Sequence, residues 1–302
     1  MKRKICNILF GLLFLFGFLV LAYPTIADQW NTYRQSRLIS SYEAAVEKME
    51  PEDFTKEWEA ARQLNSTLKQ NNIYGDVFST DEEELESTEY WKVLNIGGDG
   101  VMGYLSIPKI NVKISIYHGS SDDVLQTGAG HLDGTGLPIG GSGTHSVLAA
   151  HRGLPSARLF TDLDQLVQGD LFYIHVLDET LAYQVDQILD MVDKDDREIL
   201  EEALQVVPGE DHVTLFTCTP YGVNSHRLLV RGTRVPYEGE EELESAAADT
   251  MLQAVQNYYM LYLILGLSVT LLVILAMKFL FGRNRKKNRR NRTEQSSKEG
   301  KK

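Results

Sequence analysis

Cysteine is nearly absent from this chain, with two in 302 residues: Cys6 inside an apolar run and Cys218 in the polar body of the sequence. So few thiols exclude a disulfide-stapled scaffold and a zinc cluster built on cysteine. Asp122-Asp123 and Asp162-Leu163-Asp164 lack the spacing of a calcium loop. No glycine-rich stretch matches a P-loop or a dinucleotide fingerprint, and no cofactor is expected. Positive charge is scarce where the chain is longest. Residues 28–277 hold 16 basic and 40 acidic side chains, a net −24 within a total of −12. A segment that acidic repels a phosphate backbone, which excludes nucleic acid as its partner.

The basic residues collect at the two ends, beside two uncharged apolar runs. Ile5 to Tyr23 is 19 residues long and follows Lys2, Arg3 and Lys4. Tyr258 to Met277 is 20 residues long and precedes Lys278 and seven Lys or Arg within residues 283–292. Each run approaches the roughly 20 residues that a helix needs to cross a bilayer. Both basic flanks then lie in the cytoplasm by the positive-inside rule. A cleaved signal peptide usually has an apolar core of only about 7–15 residues, so the first run is expected to remain as an anchor. The basic tail reads as a topology signal, with anionic lipid as a further partner. Cys6 and Cys218 then sit on opposite sides of the membrane and cannot pair. Cys6 reads as an apolar filler or a lipidation site. A lone thiol in an extracytoplasmic domain is a liability unless it is used, so Cys218 is the residue to explain.

The expected divisions are a cytoplasmic start and anchor over 1–27, a helical extension and loop over 28–100, and a β domain over 101–237. An acidic spacer over 238–257, a second membrane helix over 258–281 and a basic cytoplasmic tail over 282–302 complete the chain. In the extension, Phe54, Trp58, Ala61, Leu64 and Leu68 fall on one helical face. Pro51 suits a first turn, so two helices should meet near Met49–Glu50. Residues 71–99 are polar and read as a long loop. From Val101 onward the segments are short and β-rich: 103–108, 112–117, 146–150, 171–176, 182–189, 213–217 and 228–234. Their Gly, Pro and Asp turns suggest an antiparallel barrel or sandwich. A short helix is expected over 196–203. The string Glu-Glu-Glu-Leu-Glu-Ser at 82–87 and 240–245 carries no supersecondary unit and is treated as chance.

Cys218 ends the segment Val213-Thr214-Leu215-Phe216-Thr217, and a turn-rich stretch leads from it to Arg227. If the flanking strands pair, Cys218 and Arg227 stand side by side at the mouth of the loop. A guanidinium there stabilises a thiolate, or the oxyanion formed when that thiolate attacks a carbonyl. The alternative is a buried, inert cysteine beside a surface arginine. A thiol nucleophile also needs an acid and base partner, usually histidine. Of seven histidines, His151 has the best position, capping the apolar run Ser146–Ala150. His131 and His226 are rivals.

Thr214-Leu215-Phe216-Thr217-Cys218, with Arg227 nine residues on and Ala150-His151-Arg152-Gly153 upstream, resembles the sortases. The likeness spans about residues 36–236. These are cysteine transpeptidases of Gram-positive cell surfaces. The resemblance implies a mainly β fold, an eight-stranded β-barrel, here with an N-terminal helical extension and two flanking transmembrane helices. It implies Cys218 as nucleophile, His151 as acid and base, and Arg227 as substrate and oxyanion stabiliser. The segments 128–138, 153–164 and 218–232, the helical extension and the second apolar run are similar to class C, the pilin polymerases. That class usually carries an Asp-Pro-aromatic lid; here the stretch reads Gly75-Asp76-Val77-Phe78-Ser79. By resemblance Asp76 pairs with Arg227 and Phe78 packs over Cys218. Val77 in place of proline leaves the free lid less restricted. The implied partners are pilin or surface-protein substrates with Leu-Pro-X-Thr-Gly-like signals, an acceptor lysine of another pilin, and membrane lipid. A housekeeping sortase with cell-wall peptide as acceptor is the nearer alternative. A non-enzymatic sensor or adhesin is the more distant one, disfavoured by the lone external thiol and the short stretch after Gly282.

Overall fold

The computed structural model describes residues 2–68, 88–239, 241 and 266. The lid candidates Asp76 and Phe78, the second apolar run apart from Gly266, and nearly all of the acidic spacer lie outside the described residues.

Helix α1 runs without interruption from Lys2 to Val46, and α2 from Pro51 to Thr67. The break between them falls where Pro51 places it, at the first turn of α2. The boundary expected at residue 28 is no break in the backbone. It marks a change of surroundings: the side chains of Leu13, Phe14, Leu15, Phe16, Leu19 and Val20 are exposed, and this part of α1 is long and apolar enough to cross a bilayer. Beyond it the helix docks on the barrel. Gln35 accepts from the amide of Ser115 at 2.9 Å and donates to the carbonyl of Thr127. The Tyr42 hydroxyl donates to the carbonyl of Met102 (3.0 Å) and accepts from the amide of Leu177 (2.8 Å).

The eight strands are β1 (Val101–Ile107), β2 (Val112–His118), β3 (Ala129–His131), β4 (Thr144–Ala149), β5 (Leu171–Val176), β6 (Glu179–Asp193), β7 (Asp211–Thr219) and β8 (His226–Val235). They close in the order β1-β2-β3-β4-β7-β8-β6-β5, which leaves no free sheet edge. The barrel is not purely antiparallel: β2 pairs with β3, and β4 with β7, in parallel. Short helices α3 (Glu89–Lys92), α4 (Asp122–Thr127) and α5 (Arg197–Ala203) decorate it. Asp196 caps α5 by accepting from the amide of Ile199.

Leu105, Ile107, Ile116, Ile174, Leu215 and Val230 fill the main core, against which Phe54, Trp58, Ala61 and Leu64 of α2 pack. Gly232 is required there, because a Cβ would stand 2.5 Å from the Phe172 ring. A second cluster joins Val147, Ala149, Phe216 and Leu229 to Leu125 of α4 and Leu204 after α5. Strands β4, β7 and β8 are therefore covered on both faces. This is why 146–150 reads as an unbroken apolar run instead of an alternating one.

Candidate active site

Strand β7 lies between β4 and β8, so its C-terminal end is held from both sides. On the β8 side the register pairs Cys218 with Arg227 and Thr219 with His226. Directly opposed residues of an antiparallel pair point to the same face, so the thiol and the guanidinium share one side of the sheet. Both are buried, Cys218 to 8% exposure and Arg227 to 4%. The Arg227 Nη1 donates to the carbonyls of Asn224 (3.2 Å) and His226 (3.1 Å), which fixes the cation in place. A cation desolvated beside a sulfur interacts with negative charge far more strongly than it would in water.

On the β4 side the parallel ladder ends at Ala149–Phe216, and the amide of Ala150 still donates to the carbonyl of Phe216 at 3.2 Å. Carried two residues further, that register sets His151 alongside Cys218. The backbone here is pinned twice more: Thr217 Oγ1 donates to the carbonyl of Ala150 (2.7 Å), and the amide of Phe160 to that of His151 (3.2 Å). Partial burial lowers the His151 pKa below its ordinary 6.5, and Asp122 opposes the shift. The imidazole is thus mainly neutral at pH 7 and able to take a proton.

The rival histidines separate on their surroundings. His131 on β3 is fully buried. Its Nδ1 bonds the Tyr90 hydroxyl (2.8 Å) and its Nε2 the carbonyl of Gly136 (2.7 Å). Burial pushes its pKa down to about 4, too low for a base that must also be a proton donor near neutrality. His226 neighbours Arg227 on β8 and so projects to the opposite face, where its Nδ1 meets Ser225 Oγ at 2.8 Å. The strand register thus faces Cys218 with Arg227 and leads the end of β4 toward His151 beside them, while His131 is bonded to Tyr90 and Gly136 and His226 to Ser225.

Sequence reasoning passed over Arg152. Its side chain is buried to 8% exposure and reaches Thr219, the residue after Cys218. The signal was its place next to His151, but its partner emerges only with the strand register.

A buried cysteine and arginine in register, at the mouth of a closed eight-stranded barrel and with a histidine two residues beyond the end of the neighbouring strand, are the side chains that cysteine-dependent acyl transfer calls for. Residues 105–235 match the family model described as the Sortase domain. The chain is 50% identical to sortase C1 of Streptococcus agalactiae, with a TM-score of 0.59 over 67% of this chain and 100% of that one. It is 44% identical to Streptococcus pneumoniae sortase C, with a TM-score of 0.58 over 67% and 97%. It is 25% identical to sortase A of Bacillus anthracis, over 78% of this chain and 96% of that protein. The chain belongs to the sortase family, whose members are membrane-associated cysteine transpeptidases, and its structural neighbours are of class C.

Proposed function

We propose that this enzyme polymerises pilins, with Cys218 as nucleophile, His151 as acid and base, and Arg227 as stabiliser of the oxyanion. The observation that carries the assignment is the register pair Cys218–Arg227, set beside the end of the strand that leads to His151. The class C neighbours support the pilin reading, and the structure of the pneumococcal enzyme bears on that enzyme's pilin substrate specificity.

In the first step His151 takes the Cys218 proton and the thiolate attacks the Thr–Gly carbonyl of a Leu-Pro-X-Thr-Gly-like signal. The tetrahedral oxyanion lies toward Arg227. The C–N bond breaks, His151 returns its proton to the departing amine, and a thioester remains on Cys218. In the second step a lysine amine of another pilin attacks the thioester, His151 takes its proton, and the isopeptide bond forms as the thiolate leaves. The thioester conserves the energy of the cleaved peptide bond. The resemblance to class C gives Asp76 and Phe78 the role of a lid that restrains access to Cys218. The two apolar runs anchor the enzyme with both termini in the cytoplasm and the catalytic domain outside, which raises the effective concentration of emerging substrates.

The test supplies a Leu-Pro-X-Thr-Gly peptide together with equal concentrations of a pilin domain and a cell-wall peptide amine. The expected product is linked to the pilin lysine, and it forms faster in an Asp76→Ala/Phe78→Ala variant. Products linked only to the wall amine would place the enzyme with the housekeeping sortases, and an unchanged rate in the double variant would remove the lid.

A further inference from the structure

Arg152 has no part in the mechanism above, yet it carries a buried charge at the barrel mouth. Its Nε donates to the carbonyl of Thr161 (3.1 Å), its Nη1 to Thr219 Oγ1 (3.0 Å), and its Nη2 meets Asp164 Oδ2 at 2.5 Å. Thr161 and Asp164 belong to the loop that follows His151, whereas Thr219 closes β7 directly after Cys218. The guanidinium therefore joins two chain segments, one bearing the histidine and the other the cysteine.

That junction lies where the backbone ladder gives out. Paired residues of β4 and β7 end at Ala149–Phe216, two positions short of His151 and Cys218. The Arg152–Thr219 bond falls beyond the pair and the Thr217–Ala150 bond before it, so the two side-chain ties bracket the residues that must exchange a proton. A further contact lies above them. Gly153 has φ +83, and a Cβ there would stand 3.2 Å from the Tyr221 ring, so the β7–β8 loop rests on the backbone of the histidine loop. An arginine serving only its own loop would need Thr161 and Asp164 alone; the third bond crosses to the other strand.

We propose that Arg152 is a positioning residue, setting the separation of His151 and Cys218 through its Nη1 bond to Thr219 while Thr161 and Asp164 hold the guanidinium plane. The proposal rests on the reading of Cys218 and His151 as nucleophile and acid/base. Proton transfer demands heavy atoms within about 2.6–3.2 Å, and a displacement of about 1 Å can cost on the order of 100-fold in rate. A planar fork with donors in fixed directions suits such a tie, and lysine would not reproduce it.

The test uses the full chain with Thr219→Val, Arg152→Gln and the two combined. Cleavage of a sorting-signal peptide is followed across pH, with thermal melting in parallel. Thr219→Val removes only the crossing bond. It is expected to lower kcat by about tenfold and move the pH–rate profile, with KM within about twofold and the melting temperature nearly unchanged. Arg152→Gln is expected to lower kcat by up to about 100-fold, and the double variant to be no worse than Arg152→Gln, because both act on one bond. Wild-type kcat and pH profile in Thr219→Val would overturn the proposal, as would additive losses in the double variant. Should Arg152→Gln fail to fold, Thr219→Val alone decides. Cys218→Ala and His151→Ala run alongside: turnover in either one defeats the reading of the active pair, whereas two dead controls with an unaffected Thr219→Val defeat only the role of Arg152.

Discussion

At the scale of single residues, burial sorts the histidines that the sequence offers as equals. His131 is enclosed and bonded to Tyr90 and Gly136; its loss leaves the Gly136 carbonyl short of a partner and a cavity beside Tyr90, whose hydroxyl keeps the Gly119 amide and the carbonyl of residue 131. Such losses cost about 1–3 kcal/mol. His151 is only partly buried, and its backbone is fixed by the Phe160 amide. His131→Ala should therefore lower the melting temperature by several degrees while the folded protein keeps its kcat. His151→Ala should do the reverse, abolishing turnover and leaving the melting temperature within about a degree or two. Parallel turnover and melting measurements check both, and the opposite pattern would mean that His131 is the acid and base. The facing placement of Cys218 and Arg227 was legible from the sequence, because strand, turn and strand bring positions 218 and 227 opposite each other. The tie from Arg152 to Thr219 was not, since nothing in the sequence fixes the β4–β7 register.

Among the elements, the strands with a clear pattern were readable and the contacts between distant ones were not. Segments 171–176 and 112–117 lie within or coincide with β5 and β2, because each is an apolar, β-branched stretch bounded by turn formers. Strand β3 escaped, since three residues are too few to display a period. The parallel pairs β2–β3 and β4–β7 escaped as well, because strand direction depends on how the connections cross the barrel. Helix α1 was divided at residue 28 on hydropathy, but one helix can pass from an apolar to a docked environment without a break. Its docking is testable at Tyr42, whose hydroxyl satisfies both the carbonyl of Met102 and the amide of Leu177. Tyr42→Phe strands both groups in a buried place and should cost roughly 1–3 kcal/mol. A fall of several degrees in melting temperature with the active-site chemistry intact is expected, and an unchanged melting temperature would show that α1 is held by its apolar contacts alone.

On the scale of the whole molecule, a closed barrel with no free edge carries a thiol at one mouth, and a helix fit to cross a bilayer leads into it. Within residues 28–277, which carry a net −24, the strand register sets the cation of Arg227 opposite Cys218. Everything in the mechanism depends on that cysteine forming a covalent intermediate. The most direct measurement is intact-mass spectrometry of the full chain incubated with a Leu-Pro-X-Thr-Gly peptide, with Cys218→Ala as control. The account predicts an added mass equal to the peptide cleaved after threonine, localised to Cys218, discharged by an amine and missing from the control. An adduct that persists in Cys218→Ala, or cleavage by that variant at the wild-type rate, would contradict it.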